Sequence, residues 1–396
     1  MSSARLHKQH ADIVLVGGGS GGHITPLIAV AASIKKQQPD ARVAIIGQKG
    51  EDLADVLSTG DVDAVYEISA GKFRRYHGES VLSHLLDVKT MALNIRDLFR
   101  FIRGTFQARR LLKKVSPGAI MLKGGFVSVP VGFAARWLSI PYITHDSDAI
   151  PGLANRLTAR HAQYNTTALP SENYPYPQEK SRMVGIPLRD EFVAVNATVK
   201  NAYRKELGIP LKSPVIFCTG GGNGAQSLNK DVATVVSGLV AAHPGLHVLH
   251  VAGKKHQHDT DAMYVELVDD SMYKRVQVFG FYDDLHMLSG AADVVVTRGG
   301  ATNIAEFATQ RKATVVVPSP ILTGGQQLHN AEVLRHSDAA MVVDEGDVDG
   351  LQSAVDMLLS DKKKNEHYSI KIGQLSVDDA AGELARILLQ MLHKGQ

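Results

Sequence analysis

Residues 17–23, Gly-Gly-Gly-Ser-Gly-Gly-His, set a glycine cluster and a histidine where an apolar run hands over to an apolar pattern of helical spacing. Glycines at such a junction let backbone N–H groups and a helix N-terminus approach an anion. His23 stands at the expected helix N-terminus, where the positive dipole end favours a neutral ring able to accept a proton. Capping the helix is its other available role. A second cluster, GGGNGA at 220–225, repeats the device far downstream, and two phosphate-binding loops suggest two phosphorylated substrates. The third, TRGGATNIAEFATQ at 297–310, puts Gly299 and Gly300 after an apolar strand and Glu306 about one turn into the next helix. There the dipole alone already favours an acid. In PSPILTGGQQLHNAEVL, Gln326 and Gln327 lead into another helix. Neutral amides suit sugar hydroxyls, which need donors and acceptors but no charge; they also suit ordinary loop and N-cap chemistry.

Other chemistries fit less well. The first loop only loosely matches G-x-G-x-x-G, and no acid closes the second strand, RVAIIGQKGED, as a dinucleotide site would want. None of the 17 histidines shows H-E-x-x-H or a comparable ligand spacing, and the single Cys excludes a disulfide framework or a thiolate zinc site, so no metal site is expected. Paired carboxylates of the glycosidase kind are not evident in these loops.

The elements that must hold these loops alternate. DIVLVG precedes ITPLIAVAASIKKQ, RVAIIG precedes EDLADVLST, AIMLKG precedes VSVPVGFAARWLS, and PYITHD precedes PGLANRLTAR. Such β/α alternation implies a parallel sheet covered on both faces. TTALPSENYPYPQEKSRMVGIPLRDEF interrupts it, and PVIFCTGGGNGAQSLNKDVATVVSGL restarts it. The expected architecture is two Rossmann-like domains joined near residues 185–200, each presenting strand ends to a shared cleft. A chain of 396 residues exceeds the usual reach of one core. DDAAGELARILLQMLHKG reads as a terminal amphipathic helix.

Composition is that of a soluble globular protein, 44% hydrophobic and 21% charged. A net charge of +3 is too small to argue for nucleic acid. The polar opening MSSARLHKQHAD lacks a signal-peptide pattern, and no apolar stretch reaches bilayer-spanning length, so a cytosolic home fits. Between Gly71 and Lys114, eleven Lys or Arg face three acids. Part of this stretch must pack on the sheet. Phe73, Tyr76, Val81, Leu82, Leu85 and Leu86, with Arg74 and Arg75 beside them, are expected to form an apolar tip ringed by cations and suited to an anionic leaflet.

Five motifs together, GGGSGGHITPLIAVA, LKGGFVSVPVGFAARWLSIPYITHDSDAIPGLANR, GGGNGAQSLN, RGGATNIAEFA and GGQQLHNAEVL, resemble the successive signatures of the MurG family within glycosyltransferase family 28. The resemblance runs in order from about residue 12 to 345. It implies the α/β GT-B fold, two Rossmann-like domains with parallel sheets facing a central cleft. Residues 1–188 would form the acceptor and membrane-facing domain, 189–374 the UDP-sugar domain, and 375–396 a C-terminal helix able to pack back on the first. The implied reaction is inverting and free of metal and cofactor: N-acetylglucosamine moves from UDP-N-acetylglucosamine to the muramoyl 4-hydroxyl of lipid I, giving lipid II. The implied place is the cytoplasmic face of the cell membrane, bound peripherally to an anionic surface, with no nucleic-acid partner.

By motif position, the resemblance makes His23 the base or its close neighbour and brings Ser20, Gly21 and Gly22 to the donor. Arg189 in GIPLR matches a donor-contacting arginine, and Phe281 in FGFYDD a position whose backbone meets uracil. Ala301, Thr302, Asn303, Ile304, Ala305 and Glu306 match the segment cradling uridine and donor phosphate, with Glu306 accepting from the ribose hydroxyls. Gln326, with Gln327 beside it, matches the amide that reads the sugar, and KGGFVSVP assigns Gly124, Gly125, Phe126 and Ser128 to the acceptor. This chain departs from the family at two donor-side places. Asp148 replaces the Asn of HEQNAIPG, and Gly222 and Asn223 stand where Gly-Gly-Ser-Gln-Gly-Ala is usual, removing a hydroxyl that could donate to phosphate. The competing expectations are a UDP-N-acetylglucosamine epimerase or hydrolase, a diacylglycerol glycosyltransferase, and a non-catalytic nucleotide-sugar module.

Overall fold

In the computed structural model the described residues are 10–18, 21–50, 56–57, 59–71, 88–321 and 324–394; for 21–23, 88–93 and 394 the backbone alone is described. The chain divides into two compact units, Met1–Arg189 with Asp378–Gln396, and Asp190–Val377.

The first unit is built on β1 (Ile13–Val16), β2 (Val43–Gln48), β3 (Ala64–Ile68), β4 (Ala119–Leu122), β5 (Tyr142–Asp146), β6 (Tyr164–Thr167) and β7 (Ser181–Met183), all parallel, in the order β3-β2-β1-β4-β5-β6-β7. The apolar runs become strands because both faces are covered. Along β1, Ile13 and Leu15 enter one core with Leu27, Val30 and Ile34, while Val14 and Val16 enter the other with Ala108, Leu112 and Val131. Strand order reverses direction between β1 and β4, so the loop after β1 lies at the switch point where such sheets bind ligands.

The helix Ala380–Lys394 belongs to this unit. Leu384 and Leu388 join Leu27, Val30 and Ile34 of the helix Gly21–Gln37 in one core. Gln37 Nε2 donates to Gly382 O at 2.9 Å, and a Cβ at Gly118 would lie 2.3 Å from Leu392 Cδ1.

The Pro- and Tyr-rich stretch that interrupts the sequence pattern does not leave the sheet: it contains the end of β6 and the whole of β7. Its first strand reads Tyr-Asn-Thr-Thr, and its buried Asn165 and Thr166 find partners on the neighbouring strand β5. Thr144 Oγ1 donates to Asn165 Oδ1 at 2.8 Å, and Thr166 Oγ1 donates to Thr144 O at 2.8 Å.

The second unit repeats the design with β8 (Val215–Thr219), β9 (His247–Val251), β10 (Val276–Phe279), β11 (Val294–Thr297), β12 (Thr314–Val316) and β13 (Met341–Val342), ordered β10-β9-β8-β11-β12-β13. Ile216 and Cys218 pack with Leu228 and Val232 on one face, and Val215 and Phe217 pack with Leu288 and Phe307 on the other. The loop after β8 lies at this sheet's switch point. Among the described residues no helix is long and apolar enough to cross a membrane.

Candidate active site

In the second unit the loop after β8 needs glycine twice. Gly221 and Gly224 have φ of +86° and +72°, and a Cβ at Gly224 would lie 1.9 Å from Ala252 O at the end of β9. Gly221 N donates to Thr219 Oγ1 at 3.1 Å and Gly224 N to Gly221 O at 2.9 Å. Two of the N–H groups that the sequence offers to an anion therefore shape the loop instead. Gly222 and Asn223 form its exposed tip, ahead of the helix Gln226–Leu239.

The helix Ala301–Thr309 starts after Gly300 and brings Asn303 beside that loop: a Cβ at Gly221 would be 3.4 Å from Asn303 Oδ1. Glu306 is the sixth helical residue, not a first-turn acid, so the dipole explanation weakens. The residue is 6% exposed, and its carboxylate accepts from Asn303 Nδ2 at 2.9 Å. Ala301, Thr302, Ile304 and Ala305 lie half-buried along the same turns.

Gln326 and Gln327 open the helix Gln326–His336 after Gly325, whose φ is +64°. Gln327 Oε1 accepts from Ser319 N at 2.9 Å, and a Cβ at Gly299 would be 2.6 Å from Gln327 O. Asn330 Nδ2 donates to Gly299 O at 2.8 Å, so the glutamine turn and the Arg-Gly-Gly loop are locked together. Gln326 is half-buried next to this lock. Phe281, after β10, is 53% exposed, with Lys254 Nζ 5.0 Å from its ring centre.

Sequence reasoning missed Arg298. Buried at the end of β11, it donates through Nη1 to Val317 O at 3.0 Å and through Nη2 to Ser227 Oγ at 2.7 Å, and it pairs with Glu345. It thereby ties β11 to the segment after β12 and to the start of the helix behind the glycine loop. An arginine between an apolar strand and two glycines was the available signal.

In the first unit the helix that begins at Gly21 carries Gly22 and His23 in its first turn. Ser20 and the side chain of His23 lie outside the described residues, as do Phe73, Arg74, Arg75, Tyr76, Val81, Leu82, Leu85 and Leu86. Gly124 and Gly125 have φ of +113° and +77°, and a Cβ at Gly125 would be 2.2 Å from Gly18 O. Only glycine lets these two loops meet. Ser128 is fully buried; its hydroxyl donates to Gly124 O at 2.6 Å and takes Gly124 N at 3.1 Å. That hydroxyl shapes the loop, leaving Gly125 and half-buried Phe126 at the surface side. Arg189, half-buried, is the last residue of this unit's first segment.

The loop after β5 holds Asp148, half-buried, whose carbonyl accepts from Tyr174 OH at 2.9 Å. Around it sits a buried ionisable group that the sequence motifs did not single out. Asp146 accepts from Tyr176 OH at 2.7 Å and Gly152 N at 3.1 Å, yet burial still raises its carboxyl above the usual range. His145 Nδ1 lies 3.0 Å from Thr166 Oγ1, whose own proton goes to Thr144 O, so Nδ1 carries the hydrogen. Burial, and then the Lys123 charge, hold His145 well below the ordinary histidine range. Among the described residues, no three His, Cys, Asp or Glu side chains gather as a metal site would need.

Elsewhere in this unit, the helix Val88–Val115 buries Ala108, Leu112 and Val115 but exposes Ile95, Leu98, Phe99, Ile102 and Phe106 along one face. Phe133 and Trp137 of the neighbouring helix Ser128–Trp137 are also exposed. Phe106 meets Trp137 edge-on at 6.0 Å, and the Arg109 guanidinium lies 4.4 Å from the Trp137 ring centre.

Residues 13–165 match the glycosyltransferase family 28 N-terminal domain and residues 215–384 the family's C-terminal domain. The chain belongs to glycosyltransferase family 28. A relative from Bacillus licheniformis, named UDP-N-acetylglucosamine–N-acetylmuramyl-(pentapeptide) pyrophosphoryl-undecaprenol N-acetylglucosamine transferase, is 30% identical over 384 residues, covering 96% of this chain and 99% of the relative. The crystal structure of Acinetobacter baumannii MurG shares 23% identity at a TM-score of 0.69, covering 96% of this chain and 99% of that one. A UDP-GlcNAc 2-epimerase from Neisseria meningitidis, solved with UDP-GlcNAc, shares 14% at 0.62, covering 96% and 100%. Fold alone therefore does not separate transfer from epimerisation; membership of family 28 places the chain among glycosyltransferases.

Proposed function

We propose that this protein transfers N-acetylglucosamine from UDP-N-acetylglucosamine to the muramoyl 4-hydroxyl of undecaprenyl-diphospho-N-acetylmuramoyl-pentapeptide, lipid I, giving lipid II with inversion at the anomeric carbon. The reading rests chiefly on the end-to-end match to a transferase whose name states that donor sugar and acceptor. The acceptor oxygen attacks the anomeric carbon, the bond to the diphosphate oxygen breaks, and the electron pair leaves with UDP. His23 takes the hydroxyl proton. Charge on the departing diphosphate meets main-chain N–H groups at the tip of the loop after β8 and at the start of the helix Ala301–Thr309, with Arg189 adding a cation. Glu306 accepts from the ribose hydroxyls, the Phe281 backbone meets uracil, and Gln326 reads the sugar. No cofactor or resident metal ion takes part in this reading, and no nucleic acid.

The enzyme works peripherally on the cytoplasmic face of the cell membrane. Support comes from the exposed face Ile95, Leu98, Phe99, Ile102 and Phe106, which carries Arg96, Arg100 and Arg103 on the same helix. An apolar face bordered by cations suits an anionic leaflet. Docked there, the first unit would meet an acceptor that is itself anchored in lipid.

Incubating the protein with UDP-N-acetylglucosamine labelled in the sugar, together with lipid I, tests the reading. Label should move into the lipid fraction. Label recovered only as free or epimerised sugar, or moved to diacylglycerol but not lipid I, would overturn it.

A further inference from the structure

The buried ionisable group of the first unit has no part in the steps above. Lys123, directly after β4, is 3% exposed, and its ammonium donates to Ser147 Oγ at 2.7 Å. Burial lowers its pKa, opposed first by the charge of Asp148 and then by that of Asp146. His145 Nε2 lies 3.4 Å from the same Ser147 hydroxyl. An isolated ammonium buried this deeply would be costly; compensating charge and hydrogen bonds make it tolerable. The loop carrying the compensation is braced from its far side, where Tyr174 OH donates to Asp148 O and Tyr176 OH to Asp146 Oδ2. On its near side, Lys123 runs into Gly124 and Gly125, and Gly125 abuts Gly18 of the loop that leads to His23. Lys123 thus links the Lys-Gly-Gly loop, which touches the β1 glycine loop, to the loop bearing Asp148.

We infer that Lys123 is a positioning residue for the lipid-linked acceptor: acting through Ser147 and the Asp148 carboxylate, it fixes the Lys-Gly-Gly loop against the loop after β5. The inference rests on the transfer reading. It treats Lys123 and Asp148 as one charge-balanced unit, so the neutral pair Met and Asn should serve in their place where either single change does not.

The test compares the parent, Lys123→Met, Asp148→Asn and the double variant, each as the full chain. Lys123→Met should raise the acceptor KM about tenfold, the scale of coupling within one charge network, while UDP affinity stays within about twofold. Adding Asp148→Asn should return most of that loss, because the larger of the two charges facing Lys123 is then removed with it, while Asp146 keeps its bonds from Tyr176 OH and Gly152 N. Losses that simply multiply in the double variant would overturn the inference, as would an equal loss of UDP affinity. Should Lys123→Met fail to fold, a soluble double variant that turns over lipid I sustains the inference, and an insoluble or inactive one ends it. If the parent moves no sugar to lipid I, it is the transfer reading that fails; melting temperatures of the four proteins still decide whether 123 and 148 are coupled.

Discussion

The glycine loops after β1 and β8 occupy the same place in two sheets whose strand order agrees but for the extra edge strand β7 of the first, yet different side chains stand behind them. Behind the β8 loop are Asn303 bonded to Glu306, Gln327 bonded to the Ser319 backbone, and Arg298 paired with Glu345. These are fixed donors and acceptors of the kind that the proposed recognition of a nucleoside and an uncharged sugar calls for. Near the β1 loop, across the Gly18 and Gly125 approach, lie Lys123, His145 and Asp146, all buried and all shifted from their usual titration ranges. One topology therefore carries a lock of paired amides and an arginine–glutamate pair beside its loop in one unit, and a buried lysine, histidine and aspartate beside its loop in the other.

The contrast is open to breaking. The largest effect is expected at His23: changing it to Ala should cut turnover by about 10²–10⁴-fold, the usual worth of a general base, with UDP affinity intact. Unaltered turnover would reduce His23 to a helix cap and leave the first unit without its proton acceptor. Next comes Glu306→Ala, which should weaken UDP binding by roughly 1.5–3 kcal/mol through loss of charge-assisted bonds. Calorimetry giving the parent's affinity would put the nucleoside elsewhere. Arg100→Glu with Arg103→Glu should weaken binding to anionic vesicles, each cation being worth about 1 kcal/mol near such a surface, while transfer to a water-soluble acceptor analogue persists. Flotation showing the same bound fraction at low and high salt would remove the membrane role from this face. The smallest change belongs to Gln326→Ala, which should raise the KM for the sugar nucleotide by the worth of one neutral hydrogen bond, about 0.5–1.5 kcal/mol, and leave free UDP unaffected. An equal loss for both ligands would move that amide off the sugar.

The glycine loops were legible because each sits between an apolar run and a helical pattern, and local spacing fixes both. The same holds for β1, β2, β4 and β8, whose residues are apolar enough to declare two covered faces. What stayed hidden depends on partners distant in the chain. Thr166 is at home in a buried strand only because Thr144 and His145 receive it. Tyr174 and Tyr176 read as loop residues until their hydroxyls are seen at Asp148 and Asp146. Arg298 carried a local hint, but its partners Ser227, Val317 and Glu345 come from three separate places in the sequence. The expected membrane tip at 73–86 lies outside the described residues, whereas the following helix, part of which is expected to pack on the sheet, splits its apolar residues between core and surface.

The placement of the helix Ala380–Lys394 bears on the order in which the chain acquires its shape during synthesis. Leu27, Val30 and Ile34 cannot be sealed from water until Leu384 and Leu388 have been made, and the whole of Asp190–Val377 is translated in between. At about 5–20 residues per second the delay is roughly 10–40 s. The last buried core residue of the second unit, Ile372, is still made before Leu384 and Leu388, so the half of the protein that emerges first is the half that finishes last.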